Sequence, residues 1–176
     1  EISNYAKEKN VIIYIENNVV TKSNFNKFGE NPFLLASQDE LEEFIKIKPN
    51  NVKLLIDVAH LKVSANTLIF DPSLTLKKLK NKISAYHLSE NNGLQDTNEK
   101  LDYDSYFWEF LNKDADFFTI EVYKQSIIDL KDQYNIVNNY YIPCKHLYLI
   151  YYVKLYHHLI FAIYDFYIET MYYVFH

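Results

Sequence analysis

Four short apolar runs in the sequence each end in side chains that could do acid–base or metal chemistry. The runs are VIIYIEN (11–17), VKLLIDVAH (52–60), KISAYHLSEN (82–91) and FFTIEVY (117–123). Each is rich in β-branched and aromatic residues, as expected of a strand buried on both faces. Their ends carry, in chain order, Glu16, Asp57 with His60, His87, and Glu121. Carboxylates and imidazoles can bind a divalent cation or transfer a proton.

Helix-like segments separate these runs. Residues 37–47 begin with a capping box, Ser37 followed three positions later by Glu40, and residues 73–82 and 102–113 follow further along the chain. The apolar stripe of the last segment consists of Tyr106, Phe107, Phe110 and Leu111. The alternation predicts parallel strands with helices packed outside. A (β/α)8 barrel and a doubly wound open sheet both fit this order, and both gather the carboxyl ends of their strands on one side.

The strand-end side chains would therefore converge into one ligand set. Three carboxylates and an imidazole favour Mn²⁺, Mg²⁺ or Co²⁺, and Zn²⁺ is compatible, although structural zinc sites usually recruit cysteines. Acids focused on one rim repel each other, and a cation relieves that repulsion. The sequence predicts a divalent-metal site built from Glu16, Asp57, His87 and Glu121.

Charge and cysteine usage restrict the partners and the compartment. The net charge is −5 and there is no arginine, which argues against a nucleic-acid surface because phosphate recognition usually calls on arginine. The single cysteine, Cys144, cannot form an internal disulfide, so we expect a structural thiol in a reducing, cytoplasmic compartment. The opening EISNYAKEKN has no signal-peptide pattern and no methionine, and we expect a fragment.

The composition changes near residue 138, which suggests two regions, 1–137 and 138–176. Residues 140–176 hold ten of the seventeen tyrosines, and their formal charges are Lys145, Lys154, Asp165 and Glu169. These charges argue against a membrane span. We predict a long aromatic helix that packs on another surface, and out-of-frame translation of A/T-rich DNA is an alternative origin for this region.

The ordered motifs resemble a known family. The chain is similar to the C-terminal half of the xylose isomerase-like TIM-barrel superfamily in four motifs, which are IEN, IDVAH, HLSEN followed by a D-x-N, and IEV. This superfamily includes sugar phosphate isomerases and epimerases and the endonuclease IV group. The resemblance covers residues 1–137. It implies an α/β fold that is a partial (β/α)8 TIM barrel, strands five to eight with outer helices, followed by the aromatic tail.

The resemblance also implies roles for individual residues. It assigns the metal ligands to Glu16, Asp57, His87 and Glu121. Glu16 and Glu121 would also exchange the proton, and His60 would polarise or hydrogen-bond a sugar oxygen. Asn17 and Asp96 would contact the substrate or the ligands. The implied substrate is a small sugar or sugar phosphate.

Two departures limit what the resemblance implies. The endonuclease IV group has a D-x-H after its seventh strand, whereas this chain has Asn98 at the histidine position, which argues against a trinuclear zinc site. Strands one to four of a barrel are also absent. We expect truncation first, with pairing of two copies or covering by the aromatic tail as alternatives, and a half barrel alone would be inactive.

Two functions remain open at this level. The first is a metal-dependent sugar isomerase or epimerase, which should exchange a substrate proton with solvent. The second is a relative with other chemistry, such as a metal-dependent phosphodiesterase or a sugar-acid dehydratase, or a non-catalytic relative. Metal binding and product analysis distinguish these possibilities.

Overall fold

The computed structural model describes residues 1–123, 125–140, 147–155, 158–165 and 171–174, the last three ranges as strands of the backbone. Up to residue 140 the elements are α1 (Ile2–Glu8), β1 (Ile13–Glu16), α2 (Lys22–Phe28), α3 (Gln38–Ile47), β2 (Val52–Asp57), α4 (Val58–Leu68), α5 (Pro72–Leu79), β3 (Ile83–Leu88), β4 (Phe117–Ile120) and α6 (Ile127–Asn139). Short 3₁₀ turns lie at Lys80–Lys82 and Trp108–Phe110.

Strands β1 to β4 lie side by side in chain order, and all three pairings are parallel. All four fall within the runs identified in the sequence. The register places Glu16 beside Leu55, and His87 between Asp57 and Thr119. Parallel strands in this order bring the ends of β1, β2 and β3 to one edge of the sheet, as predicted.

The apolar core lies between the sheet and the helices. Successive strand residues point to opposite faces. The helix-facing positions are occupied by buried apolar residues, which are Leu54, Ile56, Tyr86, Leu88, Phe118 and Ile120. Leu41 of α3, Leu61 of α4 and Leu76 of α5 pack in the same cluster. The alternate positions, including Asp57, His87 and Thr119, therefore belong to the other face of the sheet.

Side-chain caps explain where two of the helices begin. Ser37 and Glu40 form the predicted capping box of α3, with Ser37 Oγ accepting from the Glu40 amide at 3.3 Å and Glu40 Oε2 accepting from the Ser37 amide at 3.0 Å. Asp57 ends β2 and caps α4. The run 52–60 is therefore a strand only up to Asp57, and His60 lies in the first turn of α4 rather than at a strand end.

The helix predicted at 102–113 is wrong. Apart from the 3₁₀ turn Trp108–Phe110, this segment consists of turns and irregular backbone. Trp108 Nε1 donates to the Asp102 carbonyl at 2.7 Å, and the Asn112 amide donates to the Tyr86 hydroxyl at 3.0 Å. These side-chain bonds satisfy groups that a helix would pair internally, so the apolar stripe is buried without helical backbone.

The prediction of a partial (β/α)8 barrel followed by a helical tail is also wrong. The described tail residues form three strands, β5 (Leu147–Leu155), β6 (His158–Asp165) and β7 (Met171–Val174). Strand β5 pairs parallel to β4, whereas β6 and β7 each pair antiparallel to the strand before. Among the described strands β1 and β7 occupy opposite edges. The chain is thus an α/β protein with a parallel four-stranded sheet, and the tail continues this sheet because its aromatic and β-branched residues favour strands over helix.

Two other predictions are not decided by the fold. Cys144 lies outside the described residues, and the division near residue 138 stays a prediction. Within the part of the chain that is described, we find no helix with both the length and the apolar character needed to cross a membrane.

Candidate metal centre

Three of the predicted ligands meet at the carboxyl edge of the sheet. Glu16, Asp57 and His87 each offer one ligand atom, and these atoms lie within 4.8 Å of one another. Ligands on opposite sides of a small divalent cation stand about 4 Å apart. Small side-chain adjustments would therefore bring the three atoms to coordinating distance.

Asp57 is the best-defined member of this cluster. Its side chain is 1% exposed, and its Oδ1 accepts from the amides of Ala59 at 2.8 Å and His60 at 2.9 Å. Its Oδ2 is buried and accepts no hydrogen bond from the described residues. Burial raises the pKa of Asp57 to about 6, although nearby His60 and His87 counteract this effect. The nearest cation recorded for Oδ2 is His60 Nε2 at 4.0 Å. A buried carboxylate oxygen that accepts no hydrogen bond is rare, and it fits a bound cation.

Asn17 holds Asp57 in place. The resemblance implied that Asn17 contacts the substrate or the ligands; its side chain is buried, and both ends of its amide bind the backbone of the ligand Asp57. Asn17 Oδ1 accepts from the Asp57 amide at 2.7 Å, and Nδ2 donates to the Asp57 carbonyl at 3.2 Å. The amide thus continues the ladder between β1 and β2 by one step and fixes the position of the carboxylate.

His87 stands between two glutamates. Its Nδ1 lies 3.1 Å from Glu121 Oε2 and 3.5 Å from Glu16 Oε1. Both distances are short enough for ion pairs. The buried Nδ1 atom nevertheless forms no hydrogen bond with either carboxylate, because the geometry is not aligned for one. Burial lowers the pKa of His87, but the carboxylates of Glu121 and Glu16 outweigh it and raise the value to about 10. Glu121 therefore joins the cluster through His87 and lies outside the compact set of three.

His60 connects the cluster to an acidic loop. Its Nδ1 lies 3.0 Å from the Asn17 carbonyl and 3.3 Å from Glu16 Oε1, and its Nε2 lies 3.2 Å from Asp96 Oδ2. Burial lowers the pKa of His60, but the hydrogen bond to Asp96 and the charge of Asp57 outweigh it and raise the value to about 9. The predicted site residues His60 and Asp96 thus touch each other directly at the rim.

The loop that carries Asp96 is fastened at both ends. The backbones of Glu90 and Glu99 pair in an isolated antiparallel bridge, with N–O distances of 3.0 and 2.6 Å. Lys62 of α4 donates to Glu90 Oε2 at 2.5 Å and to the Asn91 carbonyl at 2.7 Å. These contacts hold residues 91–98 against the first helix after β2, which brings Asp96 to His60.

Sequence reasoning missed three polar residues near this edge. Ser89 lies two positions after His87, and Tyr123 lies two positions after Glu121. Because side chains two positions apart in a strand share a face, this spacing could have identified both residues from the sequence. The Tyr123 hydroxyl donates to Glu121 Oε1 at 3.0 Å, and the Ser89 hydroxyl is buried without a partner among the described residues. Asn98 is a third case, with a buried Oδ1 that accepts no hydrogen bond from the described part of the chain.

The charges of the site favour a cation. Its carboxylates belong to Glu16, Asp57, Asp96 and Glu121, whereas its bases are His60 and His87. The raised pKa values of both histidines mean that protons partly neutralise these acids in the metal-free chain. A divalent ion supplies the same compensation and also satisfies Asp57 Oδ2, so the residues fit a metal.

Comparisons with known proteins give no further guidance: no protein-family model, no curated protein and no solved structure matches the chain.

Proposed function

We propose that Glu16, Asp57 and His87 bind one divalent metal ion, Mn²⁺, Mg²⁺ or Co²⁺ in preference to Zn²⁺, in an isomerase or epimerase that acts on a sugar or sugar phosphate. The observation that carries the proposal is the buried Asp57 carboxylate, which clusters with Glu16 and His87 and whose Oδ2 accepts no hydrogen bond from the described residues. The single cysteine supports a reducing, cytoplasmic compartment as part of this proposal.

The ion would polarise neighbouring sugar oxygens and so make the carbon between them more acidic. Glu121 is suited to take the proton from that carbon. Its Oε1 accepts from the Tyr123 hydroxyl, and its Oε2 lies 3.1 Å from His87 Nδ1, so one hydrogen bond and one ion pair orient the carboxylate. For an isomerisation, a proton goes back to the adjacent carbon and the hydroxyl proton moves from one sugar oxygen to the other, so protons are neither gained nor lost overall.

Glu16 supplies a second carboxylate to the reaction. Its Oε1 lies within 3.5 Å of the Nδ1 atoms of both His60 and His87. An epimerisation needs a proton donor on the face opposite the base. Because Glu16 would be ionised as a metal ligand, the proton would come to that face from His60, whose Nδ1 lies 3.3 Å from Glu16 Oε1.

His60 would hold its proton near neutral pH. Its raised pKa keeps a positive charge beside Asp57, and its Nε2 faces the rim, where Asp96 now lies. A substrate oxygen that replaces Asp96 on Nε2 would receive a charge-assisted hydrogen bond. Asp96 would hold this position until the substrate binds.

Proton exchange with solvent tests the proposal. The full chain is incubated in D₂O with Mn²⁺ and a panel of ketoses and ketose phosphates, and loss of the carbon-bound proton is followed by NMR. We expect exchange with at least one sugar and its loss in Glu121→Gln, because the amide cannot take a proton. Glu109→Gln, an exposed glutamate outside the site, is the matched control and should leave exchange unchanged.

Two results would contradict the proposal. Undiminished exchange in a folded Glu121→Gln variant would remove Glu121 from the reaction. Tight Mn²⁺ binding with no exchange on any sugar of the panel would leave the metal centre in place and exclude isomerase and epimerase activity on those sugars.

A further inference from the structure

A cleft of about 520 Å³ opens beside the candidate metal centre, after β4 and the loop that carries Asp96. Six residues with polar side chains line it, and these are Thr97, Asn98, Glu99, Lys100, Tyr123 and Gln125. From the charges and hydrogen bonds of this lining we infer that the cleft binds the uncharged, hydroxyl-bearing part of the substrate. The inference rests on the proposed function, and it selects a neutral sugar over a sugar phosphate.

The side-chain oxygen of Asn98 lacks a hydrogen-bond donor among the described residues. Its side chain is 2% exposed, and its Oδ1 accepts no hydrogen bond from the described residues. Leaving a buried acceptor unpaired costs free energy, so such atoms usually meet water or a ligand. A sugar hydroxyl in the cleft can donate to this oxygen once the Asn98 side chain turns toward it. A fully ionised phosphate carries only acceptors and cannot.

The charges around the cleft disfavour an anion. Lys100 lines it, but its Nζ lies 2.6 Å from Asp129 Oδ1 in the first turn of α6. The carboxylate of Glu99 lines the cleft as well and accepts from the Thr97 hydroxyl at 2.9 Å. Among the described residues, a phosphate placed there would meet the carboxylate of Glu99 and a lysine that is already paired with Asp129. Neutral hydroxyls can instead donate to the carboxylates and accept from the amides.

Tyr123 connects the cleft to the reacting groups. Its backbone amide donates to the Asn98 carbonyl at 2.9 Å, and its hydroxyl donates to Glu121 Oε1 at 3.0 Å. One residue therefore borders the cleft and also holds the proposed base. A sugar whose reacting carbon lies at Glu121 could extend its remaining hydroxyls past Tyr123 into the cleft. The cleft would then discriminate between substrates by the end of the sugar that does not react.

Binding of unreactive probes tests this inference without any turnover. The ¹⁵N-labelled full chain, free of metal, is titrated with sorbitol and with sorbitol 6-phosphate, and the amide shifts of residues 97–100, 123 and 125 are followed. We expect both the shifts and the affinity to be greater for sorbitol, by at least about fivefold, because the phosphate meets Glu99 and Asp129.

Variants at Asn98 identify the contact. Its φ of 46° is left-handed, so Gly and Asp are the replacements that keep the backbone unstrained. Asn98→Gly removes the acceptor and should weaken sorbitol binding about threefold to tenfold, whereas Asn98→Asp keeps an acceptor and should retain binding. The matched control is Asn10→Gly, since Asn10 has a φ of 55° in an exposed turn far along the chain from the cleft.

The outcomes separate this inference from the proposed function. Tighter binding of sorbitol 6-phosphate, or unchanged sorbitol binding in Asn98→Gly, overturns it. A parallel Mn²⁺ titration monitors the metal centre. Sorbitol binding without Mn²⁺ binding supports the cleft and contradicts the metal centre, whereas Mn²⁺ binding without sorbitol binding overturns the cleft alone.

Discussion

Asp57 uses its two carboxylate oxygens for different purposes. Oδ1 caps α4 through the amides of Ala59 and His60, and Oδ2 accepts no hydrogen bond from the described residues, although His60 Nε2 lies 4.0 Å away. Asparagine can also cap a helix, but it carries no charge to bind a metal. Substitution at this position therefore separates the structural role of the residue from its proposed chemical role.

We predict that Asp57→Asn raises the stability of the metal-free protein and abolishes tight Mn²⁺ binding. Burial raises the pKa of this carboxyl from 3.8 to about 6, so near neutral pH the folded chain carries a charge that it disfavours. Removing that charge should raise the free energy of unfolding by about 1–3 kcal/mol, since one pKa unit corresponds to about 1.4 kcal/mol. Urea unfolding with a chelator and a Mn²⁺ titration measure the two effects.

Asp57→Ala is the comparison for the cap. It removes the same charge and also the cap, so it should be about 1 kcal/mol less stable than Asp57→Asn. If the asparagine variant proves less stable than the unaltered protein, burial of the charge at this position is not a net cost.

The histidines should make the metal-free protein less stable as the pH rises. Their ordinary pKa is 6.5, and in the folded chain it is raised to about 9 for His60 and about 10 for His87. Because both values are raised, their contribution to stability is complete below pH 6.5 and is lost as the pH rises through about 9 and about 10. Urea midpoints measured in chelator from pH 6.5 upward should fall, and His87→Gln should flatten the slope. A midpoint independent of pH over this range would contradict the assigned ion pairs.

At the scale of elements, the end of the β1–β2 pair depends on one side chain. Asn17 pairs with both backbone groups of Asp57, as a further strand residue would. We predict that Asn17→Ala destabilises the protein by about 1–3 kcal/mol, because two buried backbone groups lose their partners. Mn²⁺ affinity should fall as well, since the carboxylate is no longer fixed. Asn18→Ala, at an exposed neighbour that donates to the Leu34 carbonyl, is the control, and equal effects from the two changes would exclude a special role for Asn17.

Some elements could be predicted from the sequence because their signals are local. The capping box of Ser37 and Glu40 marks the start of α3, and the apolar runs mark β1 to β4. Since the strands are parallel, their order also predicts that Glu16, Asp57 and His87 meet at one edge.

Other elements depend on partners that are distant in sequence. The helix expected at 102–113 is replaced by turns, because Asn112 donates to the hydroxyl of Tyr86 on β3. The contact of Asp96 with His60 arises from a loop that the Glu90–Glu99 bridge closes. Neither contact produces a periodic pattern of residues that could be recognised in the sequence. The strands of the tail were missed for a related reason, since short aromatic runs fit a helix or a strand equally well by pattern alone.

At the scale of the whole molecule, a metal at this site should stabilise the fold. Glu16, Asp57 and His87 come from three different strands, so an ion held by all three binds the folded chain in preference to the unfolded one. We predict that Mn²⁺ at about 100 times its dissociation constant raises the free energy of unfolding by about 2.7 kcal/mol. Thermal or urea unfolding with and without Mn²⁺ measures the increase, and chelation should reverse it.

The combination Asp57→Asn with His87→Gln is the control for this measurement. It keeps the helix cap and removes two of the three ligands. An equal increase in that variant would show that Mn²⁺ binds elsewhere, for example at exposed carboxylates.

The sequential order of the strands also has a kinetic consequence. Each of β1 to β4 pairs with the next strand along the chain, so the sheet can grow by closing one connection at a time. Glu16 and Asp57 can meet once two strands are paired, whereas Glu121 reaches His87 only after β4 has been added. The cluster is thus assembled in steps along the chain, and its last carboxylate arrives only when β4 has joined the sheet.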